Sequence, residues 1–318
     1  HKKGNIWCND TIFGAPKKQI SLKSDITSSK VWPSEVDSGC DELKFENMEQ
    51  YVSLFGLIND LSLIVKRAAD AILEVYAGDS YGIKVKTDDS PVTLADLAAN
   101  DIICEGLAAL QPSFPFLSEE NMEIPYAERS NYEYFWLIDP LDGTKEFVKK
   151  NGQFTINVSL IHHNRPVLGM VYVPVEQALY YAVAGQGAFL ELPDKPVCRL
   201  QCGKIRLSDK GLRIPCSLSH INSDTKNFIQ QFDEAVLMPR GSALKFMMLA
   251  TAEADVYPRL APTMEWDTAA PQIILEEAGG KVLNVDTMEP LTYNKESLVN
   301  PGFVAYSTVI ADWLKPEF

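Results

Sequence analysis

Residues 134–144 read YFWLIDPLDGT and are the most informative part of the sequence. Its leading apolar and aromatic residues predict a buried strand. The strand runs directly into Asp139 and Asp142, two carboxylates three residues apart. Pro140 fixes its own φ and stiffens the turn. The carbonyl of Leu141, which lies between the two acids in the sequence, can then serve as a further oxygen ligand. Hard divalent cations such as Mg²⁺ prefer oxygen ligands of this kind. We therefore expect a metal site here.

The residues that follow the two acids suit an anion. Gly143 permits close approach of the backbone to a ligand. The amides of Gly143 and Thr144 open a predicted helix, and a helix start attracts negative charge. A purely structural explanation is also open, because Asp-Gly is a common turn dipeptide and aspartate often caps a helix.

Three further acids lie where predicted elements begin or end. Glu119 follows an apolar strand and stands beside Glu120, and adjacent carboxylates repel each other unless they are solvated or bind a cation. Asp96 lies in the first turn of a predicted helix, and Asp267 opens another. Each has a structural alternative: solvation for the glutamates, compensation of the helix dipole for Asp96, and N-capping for Asp267.

Composition excludes several classes of protein. The chain of 318 residues has 43 acidic residues against 29 Lys and Arg, a net charge of −14, which argues against a protein that coats nucleic acid or an anionic membrane. No apolar run approaches the ~20 residues that span a bilayer. The sequence contains no P-loop string, which argues against a nucleotide-binding ATPase. Four histidines argue against a histidine-rich zinc site, and six cysteines fit free thiols in a reducing compartment. We expect a cytoplasmic protein, with association with an inner membrane as an alternative.

The order of predicted elements indicates layered sheets and helices. Two helices, over about 48–77 and 94–110, precede antiparallel strands up to about residue 192, and alternating helices and strands follow. We predict two α/β sub-domains with a cleft between them, at residues 48–193 and 194–318. Residues 1–47 show no periodicity. They are expected to be a disordered arm, a cloning remnant or the remainder of a targeting extension.

Together these motifs resemble the inositol-monophosphatase-like phosphatases, and within them the bacterial-type 3′(2′),5′-bisphosphate nucleotidases. The resemblance covers about residues 50–307. It is carried by these strings: Ser90-Pro-Val-Thr-x-x-Asp96, Ser118-Glu-Glu120, Asp139-Pro-Leu-Asp-Gly-Thr-Lys-Glu-Phe147, Gly241-Ser-x-Leu-Lys-Phe246, Tyr257-Pro-Arg259, Trp266-Asp-Thr-Ala-Ala270 and Asn300-Pro-Gly-Phe303.

The resemblance implies an αβαβα layered fold and a lithium-sensitive phosphatase that uses two or three Mg²⁺ ions. It implies that Thr144, with Asp96 or Glu119, orients and deprotonates the attacking water, and that the amides of Gly143 and Thr144 hold the phosphate. The metal ligands that it implies are Glu119, Asp139, the carbonyl of Leu141, Asp142 and Asp267.

The substrate implied by the resemblance is 3′-phosphoadenosine 5′-phosphate, a nucleotide of sulfur assimilation, which would give AMP and phosphate. The 5′-phosphosulfate analogue is a further candidate. Two departures from the family pattern are Leu218, in place of an arginine, and Ala243, in place of a serine. The substrate contacts that the resemblance implies are Ser219, His220, Ser242, Lys245, Arg259 and Asp267. An inositol polyphosphate or sugar-phosphate phosphatase, and an inactive nucleotide-binding sensor, are the alternatives.

Overall fold

The computed structural model describes residues 48–78, 82, 84–85, 91–121, 124–217 and 221–310. The predicted arm at residues 1–47 lies outside the described residues, and so does most of the polar turn predicted at 87–91. The last residue of that turn, Pro91, does not belong to a turn, because it begins a short strand.

Two helices form the outer layer, as the apolar spacing predicts. They are α1 (Met48–Ala77) and α2 (Leu94–Ala109). A capping box starts α2: the Thr93 hydroxyl accepts a hydrogen bond from the amide of Ala95, while the Asp96 carboxylate accepts one from the amide of Thr93. Between the helices, β1 (Lys84–Val85) and β2 (Pro91–Val92) form an antiparallel ribbon. Among the described residues, no helix combines the length and the apolar character needed to cross a bilayer.

A seven-stranded sheet forms the centre of the protein. Its strands follow chain order, and all neighbours are antiparallel except β3 and β4, which are parallel. The strands are β3 (Phe116–Ser118), β4 (Tyr134–Asp142), β5 (Thr155–His162), β6 (Arg165–Val173), β7 (Ala178–Val183), β8 (Gly187–Glu191) and β9 (Cys198–Arg199). Both faces of the central strands are buried, which explains why they read as nearly continuous apolar runs.

Helices cover both faces of this sheet. One core cluster joins α1 and α2 to one face, and a second joins the other face to α6 (Leu244–Ala250) and α7 (Ala269–Glu277). Gly169 on β6 lets α7 approach closely, since a Cβ atom there would lie 2.4 Å from Ile273 Cγ2 and 2.8 Å from the carbonyl of Ala270. This contact sets the height of the start of α7 above the sheet.

A second, smaller sheet and one helix complete the layers. Strands β13 (Val256–Arg259), β15 (Phe303–Tyr306) and β14 (Lys281–Asn284) form an antiparallel sheet that shares a core cluster with α5 (Ser223–Ile229). The remaining elements are α3 (Tyr126–Arg129), α4 (Thr144–Val148), the parallel pair β11 (Arg213–Cys216) and β12 (Val236–Pro239), and the parallel pair β10 (Lys204–Ile205) and β16 (Thr308–Val309). The result is the αβαβα arrangement that the resemblance implies.

Candidate active site

Asp139 and Asp142 lie inside a strand rather than after it. The prediction ended the strand at Ile138, but β4 continues to Asp142. Its register with β5 shifts between Asp139 and Asp142, and the amide of Leu141 donates to Asp139 Oδ1 at 3.0 Å. Such an irregularity re-aims side chains at the end of a strand. Both carboxylates consequently face one cavity, although side chains three apart on a regular strand point to opposite faces.

Asp267 joins this pair from the other half of the chain. One carboxylate oxygen of each of Asp139, Asp142 and Asp267 lies within 4.8 Å of the others. The prediction that Asp267 opens α7 was wrong, because it ends a 3₁₀ turn (Glu265–Asp267) and α7 begins at Ala269. Its Oδ2 accepts the amide of Met264 at 2.9 Å, so one oxygen is used structurally and the other is available to a ligand.

Burial and mutual repulsion destabilise the charged form of these three carboxylates when no cation is bound. Burial, followed by the charges of Glu119, Asp142, Asp267 and Asp96, raises the pKa of Asp139 well above its usual value. Burial and then the charge of Asp142 raise the pKa of Asp267 to about 8. Buried like charges are tolerated when a divalent ion offsets them. The donor set is also all oxygen, which suits a hard cation, so these residues fit a metal ion.

Glu119 and Leu141 complete the set of predicted metal ligands. Both line the same cavity as the three aspartates. The amide of Glu119 donates to the carbonyl of Ile138 at 3.1 Å, which places the end of β3 beside β4. The Leu141 carbonyl accepts the Thr144 hydroxyl at 3.4 Å. The predicted set therefore gathers around one space.

Asp96 lies behind Thr144. Its Oδ2 accepts the amide and the hydroxyl of Thr93, at 2.8 and 2.6 Å, and its Oδ1 accepts the Thr144 hydroxyl at 3.3 Å. Burial is the largest cause of the raised pKa of Asp96. One oxygen of Asp96 is therefore used in the capping box of α2, and the other contacts the Thr144 hydroxyl; the catalytic role of Asp96 stays a prediction.

Asp142 is tied to the loop before α6. Its Oδ2 accepts the Ser242 hydroxyl at 2.7 Å and the amide of Ala243 at 2.6 Å. Gly143 adopts φ +95°, and a Cβ atom there would lie 3.2 Å from Ser242 Cβ. Only glycine adopts this conformation readily. Ser242, predicted as a substrate contact, thus holds a predicted metal ligand in place.

Three basic residues, called here the basic wall, line the same cavity as the carboxylates, which are called the acidic wall. Lys245 is buried, and its ammonium donates to the carbonyls of Ser242 and Arg240 at 2.6 and 3.4 Å. Burial lowers its pKa to about 8, although the charge of Asp142 acts in the opposite direction. Arg259, at the end of β13, and Arg240, just after β12, line the same wall. Arg240 is missing from the predicted site, because a lone arginine after a strand reads as a solvated charge.

The cavity has a volume of about 560 Å³, within the range of small-molecule sites. Ser217, at the end of β11, lies on its wall. Ser219 and His220, the two predicted substrate contacts that follow, lie outside the described residues. The acidic wall and the basic wall together suit a ligand that carries more than one anionic group.

A second convergence of metal-ligand side chains lies at the far end of the sheet. Atoms of Glu133, His162 and His163 lie within 4.8 Å of one another. His162 stacks on Tyr134 with ring centroids 4.0 Å apart, and its Nε2 lies 3.6 Å from the Glu133 carboxylate. Ring stacking and the contact between His162 and Glu133 account for this group as a structural one.

Comparison with known proteins identifies the family. The sequence profile of the inositol monophosphatase family matches residues 58–313. The chain belongs to the inositol monophosphatase family. Within that family, the 3′(2′),5′-bisphosphate nucleotidase CysQ of Escherichia coli K12 is 40% identical over 253 residues, which cover 78% of this chain and 98% of the relative.

Two solved structures share the fold of this chain. The structure of CysQ from Bacteroides thetaiotaomicron, described as a bacterial member of the family, is 37% identical with a TM-score of 0.68, and the match covers 80% of this chain and 98% of that one. The suppressor protein SuhB from Bartonella henselae is 24% identical with a TM-score of 0.64, over 79% and 94% of the two chains. The resemblance of the motifs to this family is confirmed, and so is the fold class.

Proposed function

We propose that the protein is a 3′(2′),5′-bisphosphate nucleotidase, which hydrolyses the 3′-phosphate of 3′-phosphoadenosine 5′-phosphate to AMP and phosphate. The observation that carries the proposal is a single cavity that is lined both by three clustered aspartates and by Lys245, Arg240 and Arg259. The acidic wall suits cation-assisted cleavage of one phosphate, and the basic wall suits a second one. The name of the E. coli relative supports the same activity.

The proposed cofactor is Mg²⁺, as two or three ions, held by the predicted ligands. When bound, Mg²⁺ polarises phosphoryl oxygens and lowers the pKa of water. Asp139 is the least exposed of the three clustered aspartates that would hold these ions. The proposed ligands are Glu119, Asp139, the Leu141 carbonyl, Asp142 and Asp267.

The roles proposed for the chain's own residues follow from their hydrogen bonds. The Thr144 hydroxyl donates to Asp96, so its lone pair is directed elsewhere and can accept a proton from the attacking water. Thr144 would pass its own proton to Asp96, with Glu119 as the alternative acceptor. The amides of Gly143 and Thr144 would hold the scissile phosphate at the start of α4, since both residues line the cavity.

Substrate selection is proposed to lie in the second half of the chain. Ser242, Lys245 and Arg259 would contact the 5′-phosphate or the base, and Asp267 is a further proposed substrate contact. Ser219 and His220 remain proposed nucleotide contacts from the resemblance. We also propose that residues 48–193 and 194–318 act as two sub-domains, the first with most metal ligands and the second with most substrate contacts, in a cytoplasmic enzyme.

The alternative is a phosphatase that uses the same metals on inositol polyphosphates or sugar phosphates. A sugar monophosphate would leave the basic residues without an anionic partner, whereas a nucleotide bisphosphate or an inositol polyphosphate would supply one. The 5′-phosphosulfate analogue would satisfy the basic wall equally, and is a second proposed substrate. An inactive sensor is disfavoured, because each expected carboxylate is present.

A substrate comparison tests the proposal. We expect Mg²⁺-dependent phosphate release from 3′-phosphoadenosine 5′-phosphate with kcat/KM at least about 100-fold above that for inositol monophosphate or inositol bisphosphate. Li⁺ should inhibit it, and Asp142→Asn should abolish it with the fold intact by circular dichroism. Equal rates on nucleotide and inositol substrates would rule out the proposed specificity. Full activity of the variant would rule out the assigned site.

A further inference from the structure

Arg240 is the residue of the basic wall whose role the sequence does not indicate. It follows β12 directly, and its amide donates to the carbonyl of Cys216 at 2.9 Å. Because β11 and β12 are paired in parallel up to Cys216 and Pro239, this bond sets Arg240 level with Ser217 at the cavity rim. Its position is therefore fixed by the sheet rather than by a free loop.

The guanidinium of Arg240 is available to a ligand. Among the described residues, no carboxylate forms an ion pair with it, and its Nε is buried without a hydrogen-bond partner. Arg259, on the same wall, also has a buried Nε without a partner in the described part of the chain. A buried donor left unsatisfied is costly. Two such donors in one cavity, in a chain with a net charge of −14, indicate that the missing acceptor belongs to the ligand.

The same short segment connects Arg240 to the metal-binding wall. Two residues further on, Ser242 donates to Asp142, and the carbonyls of Arg240 and Ser242 both accept the Lys245 ammonium. The segment therefore joins the backbone of Arg240 to a predicted metal ligand through a short series of hydrogen bonds. Because Arg240 and Asp142 line one cavity, a single substrate with two anionic groups can reach both.

We propose that Arg240 is a specificity-determining residue: together with Arg259, it binds the second anionic group of the substrate and selects bisphosphates over monophosphates. This rests on the proposed function, which assigns the scissile phosphate to the acidic wall. Arginine is suited to the task because its planar fork can bind two oxygens of one phosphate. Lysine would keep the charge but lose that geometry.

The test compares two substrates that share the scissile group. Adenosine 3′,5′-bisphosphate, which is the same compound as 3′-phosphoadenosine 5′-phosphate, carries the second phosphate. Adenosine 3′-monophosphate lacks it. We expect Arg240→Met to lower kcat/KM for the bisphosphate about 10- to 100-fold more than kcat/KM for the monophosphate, mainly through KM. Arg240→Lys should recover part of the loss. Arg206→Met, which removes one exposed arginine, is the matched control and should leave the ratio of the two substrates as in the wild type.

The outcomes separate this inference from the function on which it rests. An equal fall on both substrates, or no fall, would overturn the role of Arg240. If the wild type hydrolyses neither substrate, the proposed function is wrong. The role of Arg240 is then tested by the affinity for the bisphosphate, without hydrolysis. Calorimetric titration of adenosine 3′,5′-bisphosphate in Ca²⁺ should then still show weaker binding by Arg240→Met than by Arg206→Met. Equal binding would overturn the inference.

Discussion

Replacing Asp139 with asparagine should stabilise the protein when no divalent cation is present. Asp139 is buried, and two other carboxylates lie within 4.8 Å. At an effective dielectric constant of about 20, each such pair of charges repels by ~3.5 kcal/mol. Protonation at pH 7 of a carboxyl with a usual pKa of 3.8 costs about 4 kcal/mol instead. Asparagine avoids both costs and can still accept the amide of Leu141. We expect a gain of about 2–4 kcal/mol in the free energy of unfolding.

The same substitution should remove the response to Mg²⁺. A ligand that binds the native state at 100 times its Kd stabilises it by ~2.7 kcal/mol. The wild type should gain stability on that order in saturating Mg²⁺, and Asp139→Asn should gain much less. Urea unfolding followed by tryptophan fluorescence, in EDTA and in Mg²⁺, measures both effects. Asp60→Asn, which removes an exposed carboxylate from α1, is the matched control and should behave like the wild type.

The pH dependence supplies a second check on the reasoning. Because the pKa of Asp139 is raised in the folded state, the native protein holds a proton that the unfolded chain has lost. The stability of the wild type in EDTA should therefore fall as the pH rises above about 4. The advantage of Asp139→Asn should grow over the same range. A variant that is less stable than the wild type in EDTA, or that gains as much from Mg²⁺, would refute the reasoning.

Three further predictions concern the surroundings of the site. Gly143→Ala should cost ~1–3 kcal/mol in unfolding free energy and most of kcat, because φ is +95° and the new Cβ would lie 3.0 Å from the carbonyl of Gln153; wild-type kinetics would contradict this. Because the pKa of Lys245 is lowered to about 8, kcat/KM for the bisphosphate should fall as the pH rises through about 8. Lys245→Met should lower kcat/KM and remove this fall, and a variant that keeps the fall would show that another group causes it. Gly169→Ala should destabilise the protein by about 1–3 kcal/mol through its contacts with α7, whereas Gly56→Ala in α1, with open space around it, should stabilise it by up to ~1 kcal/mol; equal unfolding midpoints would contradict the close packing.

The parts of the fold that could be predicted are those whose structure depends on a short stretch of sequence. The two outer helices follow from apolar spacing, and α1 has the predicted bounds. The strand β13 was not predicted, since Pro258 within it reads as a loop signal, and its antiparallel partner β15 lies far along the chain. Tertiary pairing decides such a strand, and local pattern does not.

The site divides in the same way. Asp139 and Asp142 share one motif, so their neighbourhood was predictable from spacing, although the register shift that turns them together was not. Asp267 required the resemblance, because its approach depends on the packing of α7 on the sheet. Arg240 could not be singled out, because only the pairing of β11 with β12 brings it to the cavity. Lys245 reads as a solvated lysine, and its burial is visible only in the fold.

The most direct test of the account is the identity of the product. Phosphorus-31 NMR of 3′-phosphoadenosine 5′-phosphate incubated with the protein and Mg²⁺ distinguishes loss of the 3′-phosphate from loss of the 5′-phosphate. We expect equal amounts of adenosine 5′-monophosphate and inorganic phosphate, and no reaction in EDTA. Formation of adenosine 3′-monophosphate, or phosphate release that persists in EDTA, would contradict it.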